Sequence, residues 1–435
     1  MKKILHYHAD HSRVIACAIL CVTCVQCSSP RSEDPSGPVA ITYWRTLSGA
    51  AGNAQDKLVA QFNDSQQAVR VTAEFQGSYT DLGKKLITAS AAHTGPDVTQ
   101  LGTYEILQFV RSGVLVDLKP FLDGPDGIDT SDWPGTMREA GEVDGGVYWL
   151  PFNVAAPVLY INTDAFKTAS IAAAPKTWTE FFADTRALTT KDSSGRVQRA
   201  GTALWTDVWP YLSAIWSEGG ELTSKDYSRI TLNDPVAVRV LSEFQGLVRD
   251  GAAIVPDTAS GGHRAAFKNG RAAMILDSPA SFTDIFAQSA GFTPAVAAYP
   301  TGAAGTILAP GGGGLAMLAV TPENKRAAAW SFIRFLLAPQ QLAFFAKESG
   351  YAAFTEASRK AAGDTLKEAR FAVVHEALPH LKGDFSINMS PAVRESFSEA
   401  IQKILVDLAD VNTALDAANA KAQQRIQNEI AKNKK

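Results

Sequence analysis

The chain has 435 residues, with 41 Lys and Arg against 44 Asp and Glu and a formal net charge of −3. No basic excess exists to neutralise phosphates, so nucleic acid is excluded as a partner class, and the length exceeds what one hydrophobic core usually carries, which predicts two domains. All four cysteines (Cys17, Cys21, Cys24 and Cys27) lie near the start, so no disulfide staples the body and an apolar core has to hold it.

Residues 1–26 read as an export signal: a basic start (Lys2, Lys3, Arg13), an apolar run from Val14 to Val25, then a polar break at Ser28-Ser29-Pro30. The run is too short to span a bilayer. A cysteine just before Ser-Ser is where a bacterial signal peptidase would cut and a diacylglyceryl group would attach, which points to Cys27, with Cys24 as runner-up; an ordinary cleaved signal is the alternative. His6, His8 and His11 would leave with the leader, which removes a metal reading of that cluster. No later stretch is apolar enough to cross a membrane, so lipid is the expected anchor of an exported protein facing the periplasm or the extracellular side. Residues 27–38 form a Ser-, Pro- and charge-rich tether.

A strand is predicted at Ala40–Trp44, then a helix to about Asn63 with Leu58, Val59 and Phe62 on its buried face. Val69, Val71, Ala73 and Phe75 alternate with polar residues, the period of a strand with one buried face. Ser78 with Asp81 three residues on is a capping box opening a helix whose core stripe is Leu82 and Leu86. Strand, helix, strand, helix at this spacing predicts an α/β protein with a mainly parallel sheet. Thr177 with Glu180, Thr321 before Pro322, and Ser390 before Pro391 mark further helix starts. Residues 396–430 read as one long amphipathic helix without a sustained heptad, consistent with a monomer.

Several residues carry recognition chemistry by type and position. Arg394 falls near the N-terminus of the helix begun at Ser390, where the macrodipole disfavours a cation by about 0.3–1 kcal/mol. A bound phosphate would relieve that cost through charge-assisted bonds worth about 1.5–3 kcal/mol, whereas pairing with Glu395 or Glu399 is the plainer alternative at about 0.3–0.5 kcal/mol. Tyr79 and Tyr351 sit beside Gly77 and Gly350, and each offers a flat wall with a hydroxyl at its tip, or simply a packing group. Trp205 and Trp209 flank Asp207. Their faces suit the C–H faces of sugars or glycerol, or a quaternary ammonium, with core packing as the alternative. Trp44 and Trp178 read as structural. The run Gly311 to Gly314, including Gly312 and Gly313, could bring backbone N–H groups to an anion, or be a flexible turn; it lacks the Lys and Ser/Thr of a nucleotide P-loop. His93, His263, His375 and His380 are scattered, and no G-x-S-x-G elbow occurs, so no metal, cofactor or catalytic set is expected.

The strand with Trp44, Leu150-Pro151-Phe152-Asn153 leading to Pro157-Val158-Leu159-Tyr160-Ile161-Asn162, Pro175-Lys176-Thr177-Trp178, and the run Ala266 to Met274 together resemble the extracytoplasmic solute-binding proteins of ABC importers, the family that includes maltose binders. Gly77-Ser78-Tyr79, Pro151-Phe152-Asn153, Gly350-Tyr351 and Asn388-Met389 followed by Arg394 are most similar to the glycerol-3-phosphate-binding branch. The resemblance implies ligand contacts from Tyr79, Ser278, Gly312, Tyr351 and Arg394. Two positions depart from that pattern. The branch's glycerol-contacting carboxylate falls, by ungapped counting from Pro96, on Thr103, with Glu105 two residues away, and a contacting serine falls on Ala155.

The resemblance further implies two α/β lobes of the type II periplasmic-binding-protein fold, with ligand in the cleft between them and one crossover at Val158–Asn162. Lobe 1 is expected at 39–157 and about 263–318, lobe 2 at 158–262 and about 319–435. The expected ligand is glycerol-3-phosphate, a glycerophosphodiester such as glycerophosphocholine, or a sugar, delivered to ABC permease subunits. A binder of a neutral sugar or oligosaccharide, an extracytoplasmic hydrolase, and a surface adhesin are the rival readings.

Overall fold

A computed structural model of the chain describes residues 37–224, 229–256, 261–383 and 390–433. The leader with all four cysteines, most of the tether, and Asn388 and Met389 lie outside the described residues. Among the described residues no helix is long and apolar enough to cross a membrane.

The strands, in chain order, are β1 (Val39–Arg45), β2 (Val69–Phe75), β3 (Val98–Gly102), β4 (Glu142–Val143), β5 (Gly146–Val147), β6 (Leu150–Ala155), β7 (Val158–Asn162), β8 (Thr190–Lys191), β9 (Val197–Ala203), β10 (Ala253–Ile254), β11 (Ala272–Asp277), β12 (Pro294–Ala297) and β13 (Gly311–Met317). They build two large mixed sheets, one in the order β2-β1-β3-β13-β6, the other β10-β9-β11-β7-β12 with β8 beside β9, while β4 and β5 pair only with each other. In the first sheet β1 runs parallel to β2 and β3, while β13 is antiparallel to β3 and β6. In the second, β9 runs parallel to β10 and β11, and β7 is antiparallel to β11 and β12.

Much of the local expectation is met. The helix Gly49–Ser65 buries Leu58, Val59 and Phe62. The helix Tyr79–Ala91 opens on the full capping box of Ser78 and Asp81 and buries Leu82 and Leu86, and Thr177 with Glu180 opens Trp178–Ala187 in the same way. Trp178 is buried and meets Phe181, Phe182, Phe244 and Tyr299, so its role is packing.

Three expectations need correction. Phe75, expected on the buried face of β2, is 52% exposed, because β2 is the sheet's edge and its end runs past the core. Thr321 does not cap Glu323–Leu336; its hydroxyl donates instead to the Asp97 carbonyl at 3.1 Å, and Pro322 holds the cap position. The long terminal helix is two, Pro391–Leu405 and Val411–Asn433, folded against each other. The break comes where Leu408 takes φ +53° and the Asp410 side chain accepts from the Thr413 backbone N–H at 2.9 Å, starting a new helix.

The lobe boundaries also differ from those expected. The chain does leave the first sheet for the second between β6 and β7, but β11 and β12 belong to the second sheet and only β13 returns to the first. The helices Glu323–Leu336 and Pro339–Ser349 then pack on β1 and on Gly49–Ser65, so they go with the first sheet, whereas Pro391–Leu405 packs on Pro235–Arg249 with the second. Each re-entry buries apolar faces that single-sequence periodicity cannot allot to one sheet or the other.

Candidate ligand cleft

Side chains from the ends of both sheets form two connected groups. In the first, the hydroxyl of Tyr79, at the start of its capped helix, lies 2.9 Å from the side-chain amide of Asn153 in β6, and Asn153 in turn lies 2.7 Å from the Gln100 amide of β3. Gln100 Oε1 accepts from the backbone N–H and hydroxyl of Thr46 at 3.0 and 3.1 Å. Burial pushes the Tyr79 phenol well up, with Tyr351 beside it adding to the effect, and burial likewise pushes Tyr351 up to about 12, offset in part by Asn153 and by the positive Arg264. Both phenols are therefore neutral near pH 7 and can donate a hydrogen bond. Tyr351 is 6% exposed, follows the left-handed Gly350 that ends Pro339–Ser349, and stacks on Phe345.

The wall beneath these groups is β13. Gly311–Gly314, read as a turn or a loop before a strand, lie within the strand itself, between β3 and β6. The reason for glycine is close approach: a Cβ on Gly311 would sit 2.7 Å from the Trp209 ring, and one on Gly313 would sit 2.6 Å from the Tyr79 hydroxyl. Gly312 adopts φ +98°, a conformation that side chains disfavour.

The second group surrounds Arg394. Its Nη2 donates to Asp207 Oδ2 at 2.9 Å, its Nη1 lies 3.9 Å from Glu105 Oε1, and its guanidinium stands 5.1 Å from the Tyr104 ring centroid. Neither of the neighbours expected to neutralise it does so. Glu395 pairs with Arg425 and Glu399 with Lys421, because Val411–Asn433 packs along that side of the helix. Burial works against the charge of Arg394, but Asp207 and Glu105 outweigh it and hold the guanidinium firmly protonated. Burial pushes the Glu105 carboxyl up, with Arg394 only partly offsetting it. Glu105 Oε2 and Thr103 Oγ1 are buried without a hydrogen-bond partner, and of the two positions it is Glu105 that faces Arg394. The two groups meet at Gly102, where a Cβ would fall between the Tyr79 ring and the Glu105 carboxylate.

Arg394 and Asp207 line a groove of about 760 Å³ between the helices Tyr79–Ala91 and Ile106–Arg111 on one side and Pro391–Leu405 on the other. Trp205 is half-buried before the helix Trp209–Ser217; its ring stacks on His263 at 4.8 Å, and its indole N–H has no partner. Trp209 is only 7% exposed, and its indole N–H bonds the carbonyls of Ala309 and Pro310 at 3.2 Å, while Asp207 accepts from its backbone N–H at 2.9 Å. Trp209 thus anchors the return to β13, and of the two tryptophans only Trp205 keeps a free donor. The Ser278 hydroxyl caps the turn at Pro279–Ser281, and its carbonyl accepts from the Tyr160 hydroxyl at 2.8 Å.

Next to Ser278 is an ion pair that sequence reading did not single out. Arg264 meets Asp277 through two bonds, one of them 2.9 Å from Nη2 to Oδ1, and Asp277 also accepts from Ser281 Oγ at 3.0 Å and from the Ser278 N–H at 2.7 Å. Burial opposes ionisation of Asp277, but the charge and bonds of Arg264, with His263 Nε2 3.5 Å away, hold its carboxyl far below the usual carboxylate range. A lone acid closing the buried run Ala272–Leu276 was the available signal. Among the described residues no three or more His, Cys, Asp and Glu side chains form a group that could hold a metal ion.

Residues 48–343 match the family model of bacterial extracellular solute-binding proteins. The chain belongs to that family. It is similar to the sn-glycerol-3-phosphate-binding periplasmic protein UgpB of Agrobacterium fabrum, 25% identical over 400 residues that cover 86% of this chain and 90% of that protein. Its fold matches UgpB from Mycobacterium tuberculosis, solved with glycerophosphocholine, at a TM-score of 0.82 and 25% identity over 91% of this chain and all of that one. It matches the GacH receptor of Streptomyces glaucescens at a TM-score of 0.77 and 21% identity over 90% of this chain and 98% of that one, a likeness of fold alone. The two sheets are thus the lobes of a two-domain solute-binding protein of the kind that serves ABC importers, with the cleft between them.

Proposed function

We propose that this solute-binding protein captures a compact ligand carrying a glycerol-phosphate unit, either glycerol-3-phosphate or a glycerophosphodiester such as glycerophosphocholine, and delivers it to the permease of an ABC importer. The observation that carries the reading is Arg394, a guanidinium held over an aromatic ring on the wall of the groove, with Glu105 and Gly102 between it and the neutral phenol of Tyr79, beside which lies Tyr351. A planar fork beside neutral donors suits the oxygens of a phosphate and a polyol. The half-buried face of Trp205 suits a choline head or a C–H face. The export signal and an acyl group on Cys27 or Cys24 would tether the protein, as a monomer, outside the membrane.

One observation favours a second reading, a neutral sugar: Arg394 is already balanced by Asp207 and Glu105, so the corner holds no surplus positive charge. Titration calorimetry against glycerol-3-phosphate, glycerophosphocholine and a sugar panel separates the two. The phosphate reading expects binding of the phosphate compounds and a loss of more than tenfold in Arg394→Ala; unchanged affinity in that variant removes phosphate from the assignment. Hydrolysis of the ligand over the titration would instead indicate an enzyme.

A further inference from the structure

The groups around Arg394 set a charge problem for any anionic guest. With Asp207 and Glu105 both ionised, the three side chains sum to one negative charge in a largely buried corner. A phosphodiester seated on Arg394 would add a second, facing two carboxylates, one of which already binds the guanidinium. Asp207 is tied down: one oxygen binds Arg394 and the other accepts the Trp209 backbone N–H. Glu105 is not. Its residue is 9% exposed, its Oε1 stands 3.9 Å from Arg394, beyond hydrogen-bonding distance, and its Oε2 is buried with no partner at all. The groups facing it are Tyr104 from its own segment, the Tyr79 ring across Gly102, and Arg394 with Asp207 from the opposite lobe. None of these donates a hydrogen bond to the free oxygen.

We infer that Glu105 is a proton-uptake group that sets ligand specificity: when an anionic glycerol phosphate seats on Arg394, Glu105 takes up one proton from solvent and becomes a neutral donor. The carboxylate oxygen gains the hydrogen, no other bond changes, and the O–H so formed can donate to a phosphate oxygen where the ionised group would repel it. Burial already pushes this carboxyl up, so the proton is taken at less cost than by an exposed acid. The inference rests on the phosphate reading above and adds to it a dependence on pH. A neutral sugar would impose no such demand, and a choline-bearing diester, whose cation offsets the phosphate, would impose less.

The test is calorimetry of the protein with glycerophosphoglycerol, an anionic diester that has no titration of its own near neutrality, in two buffers of different ionisation enthalpy from pH 5.5 to 8.5. The expected result is net uptake approaching one proton per ligand, with the dissociation constant rising up to about tenfold per pH unit through the window between the free and bound pKa of Glu105. Glu105→Gln should take up no proton, bind with little pH dependence, and bind the diester more tightly than the wild type at pH 8.5. Binding without proton uptake, or uptake that persists in Glu105→Gln, overturns the role of Glu105 while leaving the phosphate reading intact. Failure of every glycerol phosphate to bind overturns both. The wild-type proton count decides the first point even if the variant does not fold.

Discussion

Arg264 and Arg394 each face a carboxylate, yet their surroundings give them different work. Asp277 is fully buried and accepts from Arg264 and two serine donors, with His263 Nε2 3.5 Å away, which describes a structural pin. Removing one partner of such a pair strands a charge, so Arg264→Ala should lower unfolding free energy by about 3–5 kcal/mol in denaturant titrations at pH 7. The pH sign follows from a folded pKa held below the unfolded one. The pair's contribution is complete above the ordinary Asp value, near 4, and fades as pH falls through lower values, so the deficit of the variant should shrink in acid. An undiminished deficit at pH 3 would place the cost in packing. The placement of Tyr79, Tyr351 and Arg394 at helix ends was legible because tyrosine beside glycine and a cation early in a helix are visible in one dimension. Asn153, Glu105, Arg264 and Asp277 meet their main side-chain partners between 13 and nearly 300 residues away, a separation that no local pattern records.

Among the elements, the glycine run of β13 inverts the usual logic of a strand, where side chains supply the surface. Here their omission lets the Tyr79 and Trp209 rings lie against main chain. Gly313→Ala would bring its methyl within 2.6 Å of both the Leu101 carbonyl and the Tyr79 hydroxyl. Overpacking of that kind costs about 1–3 kcal/mol, and it should weaken ligand binding as well by turning Tyr79 away. Calorimetry together with thermal unfolding of this variant checks both effects, and wild-type affinity in it would show that the Tyr79 wall is not part of the site. Capping boxes and the first two strands were readable because their signals are confined to a few consecutive residues. The break at 406–410 was not, since the apolar spacing of the two terminal helices carries across it almost in phase and only Asp410 marks the new start.

At the scale of the molecule, the chain passes from one sheet to the other between β6 and β7, comes back between β12 and β13, and crosses once more between Ser349 and Pro391, so three stretches of chain join the two lobes. Such joints permit closure about a hinge, and a bound ligand should shift the population toward the closed form. Small-angle scattering should record a smaller radius of gyration with saturating ligand, and an unchanged value would mean a pre-closed cleft. The two-lobed plan was legible through family resemblance, whereas the allotment of residues 263–349 between lobes was not, because it depends on which sheet each strand joins. Asn153, whose amide touches the Tyr79 hydroxyl, stands three residues before Ala156, where the backbone steps off its own sheet, and the Val154 carbonyl between them accepts the Ala352 N–H at 2.8 Å. A guest competing for that amide would press on the chain where it leaves its sheet, so one short stretch would both sense occupancy and answer it.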